Sequence, residues 1–174
     1  MKLGKRHCLI TGIPGVGKTT LINTLARQLE ALRPVGFYTS EIRENGRRVG
    51  FELISLQGGV KILSHINIES QYRVGKYGVD VESFDLFLDE IDFDHSSEAP
   101  VVIDEIGKME CFSAKFRRLI LNLMDSNRLV IATVALNGGG LAEKIKARED
   151  VAIFEVTRYN RDYLSNDILA ILTK

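Results

Sequence analysis

Along this chain the apolar positions switch between the period of a strand and that of a helix. Arg6-His7-Cys8-Leu9-Ile10-Thr11 is a short apolar run of strand length, and from Thr20 to Leu29 apolar residues recur at helical spacing. Val35 to Ile42 and Arg48 to Leu56 are rich in β-branched and aromatic residues, with Asn45-Gly46 between them, the pair that most strongly marks a hairpin. Gly58-Gly59 allows a third strand from Val60 to Leu63, so residues 35–64 read as an antiparallel insertion. Residues 65 to 79 look irregular. Val81 to Ile91 repeats apolar residues at 84, 87, 88 and 91 as an amphipathic helix does.

Past Pro100 the alternation becomes regular. Val101 to Glu105 is an apolar strand ending in two carboxylates, and a helical stretch runs from about Ser113 to Asp125. Strands follow at Arg128 to Val134 and Val151 to Val156, with a short helix opened by Gly138-Gly139-Gly140 between them. A last helix reaches about Leu172, with Thr157 or Asn160 as its cap. Pro34 and Pro100 both stand directly before strands. The whole predicts an α/β protein with a mostly parallel central sheet, in one domain spanning residues 1–174.

The turn between the first strand and first helix changes the picture from fold to chemistry. Gly12-Ile13-Pro14-Gly15-Val16-Gly17-Lys18-Thr19 is a complete G-x-x-x-x-G-K-[ST] phosphate loop in the required strand-loop-helix setting. Its glycines let successive N–H groups point at an anion, and the helix start adds its dipole. Lys18 is expected to bridge the β- and γ-phosphates, Thr19 to ligate Mg²⁺, and Thr20 to reach the α-phosphate.

The second element is Asp104-Glu105. Ligands of an open parallel sheet sit beyond the carboxyl ends of its strands, so this acid pair and the phosphate loop should share one rim. Asp104 would then hold Mg²⁺ together with Thr19, and Glu105 would orient and deprotonate a water aimed at the γ-phosphate. Thr133 is either a polar sensor of that phosphate or a plain strand-end threonine.

Composition adds limits. Of 174 residues, 23 are basic and 23 acidic, so overall charge gives no support to nucleic acid as a partner. No apolar run reaches the roughly 18 residues of a membrane span, and the polar start Met1-Lys2-Leu3-Gly4-Lys5-Arg6 leads into a strand; a cytoplasmic monomer is the expectation. Cys8 and Cys111 are too far apart in sequence to suggest a zinc site or disulfide, and Cys8 reads as a buried strand thiol. His7, His65 and His95 lack metal-ligand spacing.

Together with the phosphate loop, Gly36-Phe37-Tyr38-Thr39-x-Glu41, Gly50-Phe51, Arg73-Val74-Gly75-x-Tyr77 and Asp104-Glu105-Ile106-Gly107-Lys108-Met109-Glu110 make the chain resemble the THEP1 family of nucleoside-triphosphatases. The likeness runs from the first strand through Val156-Thr157-x-x-Asn160-Arg161. It implies a three-layer, RecA-like P-loop core hydrolysing ATP, GTP, CTP, UTP and TTP to diphosphate and phosphate with Mg²⁺. It also implies nucleotide contacts on Gly12 to Thr19 and on Ile103, Asp104, Glu105, Ile106, Gly107, Lys108, Met109 and Glu110. Lys108 is either a catalytic cation offsetting charge on the γ-phosphate or a solvated loop lysine. Glu110 is either a partner of the site or an acid favoured by a helix start. Arg158, Asn160 and Arg161 are either base or phosphate contacts or ordinary cap residues.

Two other classes share these motifs. A P-loop nucleotide or small-molecule kinase needs an acceptor pocket and an arginine-bearing lid; no helical lid is evident, though Arg43, Arg47, Arg48 and Arg73 lie near the hairpin. A nucleotide switch or nucleic-acid-coupled ATPase is suggested by Asp104-x-x-Gly107, but no Asn-Lys-x-Asp motif is present to read guanine.

Overall fold

A computed structural model describes residues 5–94 and 98–172. His95 and the first four residues, which entered the sequence reading, lie outside the described residues. The elements in chain order are β1 (His7–Thr11), α1 (Lys18–Gln28), β2 (Val35–Glu44), β3 (Arg47–Ser55), β4 (Val60–His65), β5 (Arg73–Val74), β6 (Tyr77–Val79), α2 (Val81–Glu90), β7 (Val101–Ile103), α3 (Ala114–Asp125), β8 (Val130–Thr133), α4 (Leu141–Lys146), β9 (Val151–Glu155) and α5 (Leu164–Leu172).

All nine strands form one sheet in the order β5-β6-β4-β3-β2-β7-β8-β1-β9. From β2 to β9 neighbouring strands are parallel, whereas β3, β4, β6 and β5 continue the sheet antiparallel from the other edge of β2. The predicted insertion is therefore a continuation of the core sheet, with β2 common to both halves. Inside the parallel half both faces are buried, as consecutive side chains require. Cys8 and Ile10 of β1, Val102 of β7 and Ile131 of β8 pack toward Leu21, Ile22 and Leu25 of α1 and Ile168 of α5. Leu9, Val101, Ile103 and Ala132 point the other way, into a core shared with α2, α3 and α4. Helix, sheet and helix make three layers.

Sequence and structure differ in two places. Residues 65 to 79 contain a small hairpin, because Gly75-Lys76 forms a two-residue turn with φ 57° at Gly75 and strands of only two and three residues leave no period to detect. Gly78 completes it, since a Cβ there would lie 2.0 Å from the Ile68 carbonyl oxygen. The last helix starts at Leu164, later than a Thr157 or Asn160 cap would place it. Those two residues cap each other instead: the Thr157 N–H donates to Asn160 Oδ1 at 2.8 Å and the Asn160 N–H to Thr157 Oγ1 at 3.3 Å. Ser113 caps α3, its hydroxyl accepting from the Phe116 N–H at 2.9 Å. Cys8 is buried, and burial pushes its thiol far above the ordinary value. His7 is also buried, with Nε2 3.1 Å from the Met124 carbonyl. No described helix is long and apolar enough to cross a membrane.

Phe37 holds β2 onto the helical layer through rings at 5.8 Å (Phe84), 5.7 Å (Phe87) and 6.2 Å (Phe116), and all four side chains are fully buried. Phe37→Ala should cost about 3–5 kcal/mol through lost transfer energy and the cavity left behind, measurable as a lowered urea midpoint.

Candidate active site

The phosphate loop is shaped by three positive φ angles, 152° at Gly12, 75° at Gly15 and 117° at Gly17, the last being the cap of α1. Gly12 has a second reason to be glycine. A Cβ there would sit 2.7 Å from the Val156 carbonyl oxygen, and the Val156 N–H donates to the Thr11 carbonyl at 2.8 Å, so the end of β9 is pinned beneath the loop. Val16 is buried and anchors the loop, while Ile13 stands out in solvent. The Lys18 ammonium donates to the carbonyls of Gly12 at 3.0 Å and Ile13 at 3.4 Å, which folds it back over the loop it is meant to serve.

Asp104 lies just past β7, buried, and receives hydroxyls from three other elements. Thr19 Oγ1 donates to its Oδ2 at 2.7 Å, Thr39 Oγ1 reaches the same oxygen at 3.5 Å, and Thr133 Oγ1 donates to Oδ1. Phosphate loop and acid pair are thus on one rim, as expected. Thr133, expected as a phosphate sensor or a bland strand end, is a partner of Asp104. Thr39 was given no chemical role from the sequence. Its signal was positional: β2 pairs with β7 at Phe37 and Ile103, so the residue two further on falls beside Asp104.

Glu105 is half-buried. Burial lifts its carboxyl above the ordinary range, the Asp104 charge adds to this, and Lys18 pulls it back down. Glu110 starts a 3₁₀ turn, Glu110–Phe112, as its helix-start reading required, but it is fully enclosed rather than a solvated dipole partner. Burial, reinforced by Glu105 and Asp104, pushes its carboxyl up to about 8. Gly107 makes room for both acids, because a Cβ there would lie 2.7 Å from Glu105 Oε1 and 2.7 Å from Glu110 Oε2. Ile106 is buried, Gly107 and Met109 are half-buried, and Lys108 is exposed on the turn beyond the acids.

Of the C-terminal candidates, Arg161 meets the loop and Asn160 does not. The Arg161 Cδ lies 3.8 Å from where a Gly17 Cβ would be, and with Thr20, Thr24 and Ser165 it lines a cavity of about 350 Å³ next to the helix start. The Asn160 amide is committed within its own turn, Nδ2 donating to the Glu155 carbonyl at 2.9 Å as Oδ1 takes the Thr157 N–H. The arginines near the hairpin are likewise engaged: Arg43 and Arg48 pair with Glu41 at 2.6 and 2.9 Å, and Arg73 donates to the Lys76 carbonyl at 2.8 Å. Arg47 is exposed near the hairpin tip.

For Mg²⁺ the donors are of the right kind: one carboxylate and several hydroxyls, all hard oxygens. Among the described residues no group of three His, Cys, Asp or Glu side chains is placed to hold a metal ion.

A glycine-shaped phosphate loop, with an acid pair one strand removed at the carboxyl rim of a three-layer sheet, defines a RecA-like P-loop NTPase fold. A family model described as NTPase matches residues 7–169. The nucleoside-triphosphatase THEP1 of Thermotoga sp. (strain RQ2) is 45% identical over 165 residues, 94% of each chain. The cancer-related nucleoside-triphosphatase of Homo sapiens is 40% identical over 94% of this chain and 95% of its own. The crystal structure of THEP1 from the hyperthermophile Aquifex aeolicus superposes with a TM-score of 0.85 at 37% identity, covering 97% of this chain and 99% of that one. The chain belongs to the THEP1 family of nucleoside-triphosphatases.

The Glu110 environment has a pH consequence. The folded protein holds this proton more tightly than the unfolded chain does, so the associated stability is complete below the ordinary value near 4.5 and is lost as pH rises through about 8. Urea midpoints taken at about pH 5, 7 and 9 should fall across that window, and Glu110→Gln, which keeps the neutral shape, should flatten the decline.

Proposed function

We propose that this protein hydrolyses nucleoside triphosphates to the diphosphate and phosphate, with Mg²⁺ and with little preference among bases. The observation that carries the reading is the difference between two adjacent carboxylates. Asp104 is buried and saturated with hydroxyl donors, whereas Glu105 is partly open, raised above the ordinary range and close enough to Lys18 to feel its charge. A carboxylate already bound by hydroxyls suits holding a cation; one lifted toward neutrality and left unsaturated suits taking a proton.

In this reading the loop N–H groups and Lys18 bind the β- and γ-phosphates. Thr19 and Asp104 would hold Mg²⁺, and Mg²⁺ bound there neutralises charge on the phosphate oxygens. Glu105 orients a water and accepts its proton as the water oxygen bonds to the γ-phosphorus and the bond to the bridging oxygen of the diphosphate breaks. Thr39 and Thr133 keep the Asp104 carboxylate aimed at the rim. Lys108, exposed on the next turn, fits the role of a cation offsetting charge on the γ-phosphate less well than Lys18, which lies over the loop.

Weak base preference rests on the cavity beside Gly17. Thr20, Thr24 and Arg161 line it, and the Asn160 amide is not free to read a base edge. A guanidinium plane stacks on any base with little discrimination. The single continuous sheet supports reading residues 1–174 as one domain, and two unpaired cysteines support a reducing, cytoplasmic setting.

Incubation with γ-labelled ATP and candidate nucleosides should release only inorganic phosphate, and a labelled ester would instead establish a kinase. Glu105→Gln should keep Mg²⁺-nucleotide binding and lose about 10²–10⁴ in turnover, while Lys18→Ala should lose both affinity and turnover. Near wild-type hydrolysis by Glu105→Gln would overturn the base assignment.

A further inference from the structure

A second and larger cavity lies away from the phosphate loop. About 930 Å³ opens between α1 and the root of the β2–β3 hairpin. Leu56 and Tyr38 give it an apolar, partly aromatic lining, and two arginines, Arg27 of α1 and Arg33, also line it. Neither guanidinium is in an ion pair among the described residues. The carboxylates of Glu30 and Asp92 also line the cavity, so its charge is mixed rather than uniformly basic.

Arg33 is the telling residue. It occupies the left-handed region, φ 51° and ψ 60°, as the cap of the 3₁₀ turn Glu30–Leu32. Among the described non-glycine residues only Asn45 shares a positive φ, and Asn45 has its reason at the Asn-Gly hairpin tip. A helical C-cap in that conformation favours glycine, and an arginine has none of the local hydrogen bonding that helps asparagine there. An arginine held against its backbone preference at the lining of a cavity points to use of the guanidinium.

We propose that this cavity is a second nucleotide site, taking a nucleoside monophosphate with its phosphate held between Arg27 and Arg33. The main parts of the lining have counterparts in that ligand. Two arginines match a phosphate monoester, the carboxylate of Glu30 matches a ribose diol, and Tyr38 with Leu56 matches the base. A bare anion would leave the apolar wall unused, and a neutral nucleoside would leave both arginines unpaired. The site also has a structural route to the reaction centre. Asn23, at its edge, is one helical turn beyond Thr19, and Tyr38 directly precedes Thr39; both threonines hold Asp104.

The test is titration calorimetry of AMP into the full chain already saturated with Mg²⁺ and a non-hydrolysable ATP analogue, a design that relies on the phosphate-loop reading above. One further equivalent of AMP should bind, and inorganic phosphate should displace it only at much higher concentration. The Lys18→Ala chain should bind AMP as well as wild type, which makes the result independent of whether the loop is filled. Arg27→Ala and Arg33→Gly should each weaken AMP about tenfold or more, with binding of the analogue unchanged. Arg33→Gly should hold or raise Tm, because glycine relieves the left-handed residue. Absence of AMP binding to the loaded chain, its loss in Lys18→Ala, its survival in Arg33→Gly, equal competition by phosphate, or a fall in Tm on Arg33→Gly would each overturn the proposal. Failure of the phosphate-loop reading would look different: the ATP analogue would bind Lys18→Ala as well as wild type.

Discussion

The buried carboxylate of Asp104 is the constraint around which the rim is organised. A charge taken out of water is tolerated only when its oxygens are satisfied, and here the donors are hydroxyls carried by α1, β2 and β8. Each of those elements is thereby tied to the end of β7. The Asp104 N–H completes the arrangement by donating to the Phe37 carbonyl at 3.1 Å, and the Ile106 N–H donates to the Thr133 carbonyl at 2.9 Å. The segment that carries both acids is therefore fixed on its two sides by the ends of β2 and β8. Removing Thr133 would leave Oδ1 without its hydroxyl donor, whereas Oδ2 is shared by Thr19 and Thr39 and loses one of two, so the hydroxyls at these positions answer to electrostatics before they answer to chemistry.

Most of this was legible in the sequence because it depends on local pattern. The phosphate loop is contiguous, its glycines are dictated by backbone angles, and the Val101-Val102-Ile103 run announces a strand ending at an acid. What was not legible depends on register between distant strands. Thr39 reaches Asp104 only because Phe37 pairs with Ile103, and Thr133 does so only because Ile103 pairs with Ala132. Glu110 illustrates a different limit. Its place at a helix start was readable, but whether such an acid is solvated or enclosed is decided by tertiary packing, which local pattern does not carry.

Three acids within seven residues carry different environments, and the differences follow from position along one turn. Asp104 is still at the strand end, where hydroxyls of neighbouring strands reach it. Glu105 points past the strand, where only Lys18 offsets its burial. Glu110 has turned back beneath Gly107, where the absence of a side chain brings it near Glu105 without a countercharge. Like charges that close resist ionising together, and the most deeply buried one keeps its proton. The protonated Glu110 thus spares Glu105 a second negative neighbour.

The strand order sets the spacing that this chemistry requires. β8 lies between β1 and β7, so the strand that opens the phosphate loop and the strand that ends in the acids are two sheet spacings apart, about 10 Å. Were β7 paired directly with β1, the acids would stand roughly 5 Å from the loop strand, leaving no room for a γ-phosphate with a water behind it. The intervening strand opens that gap, and its terminal residue, Thr133, turns its hydroxyl onto Asp104. A side chain without a donor at that position would keep the gap but leave Oδ1 bare. The threonine lets the same strand provide both the spacing and the hydrogen bond that keeps the acid in place.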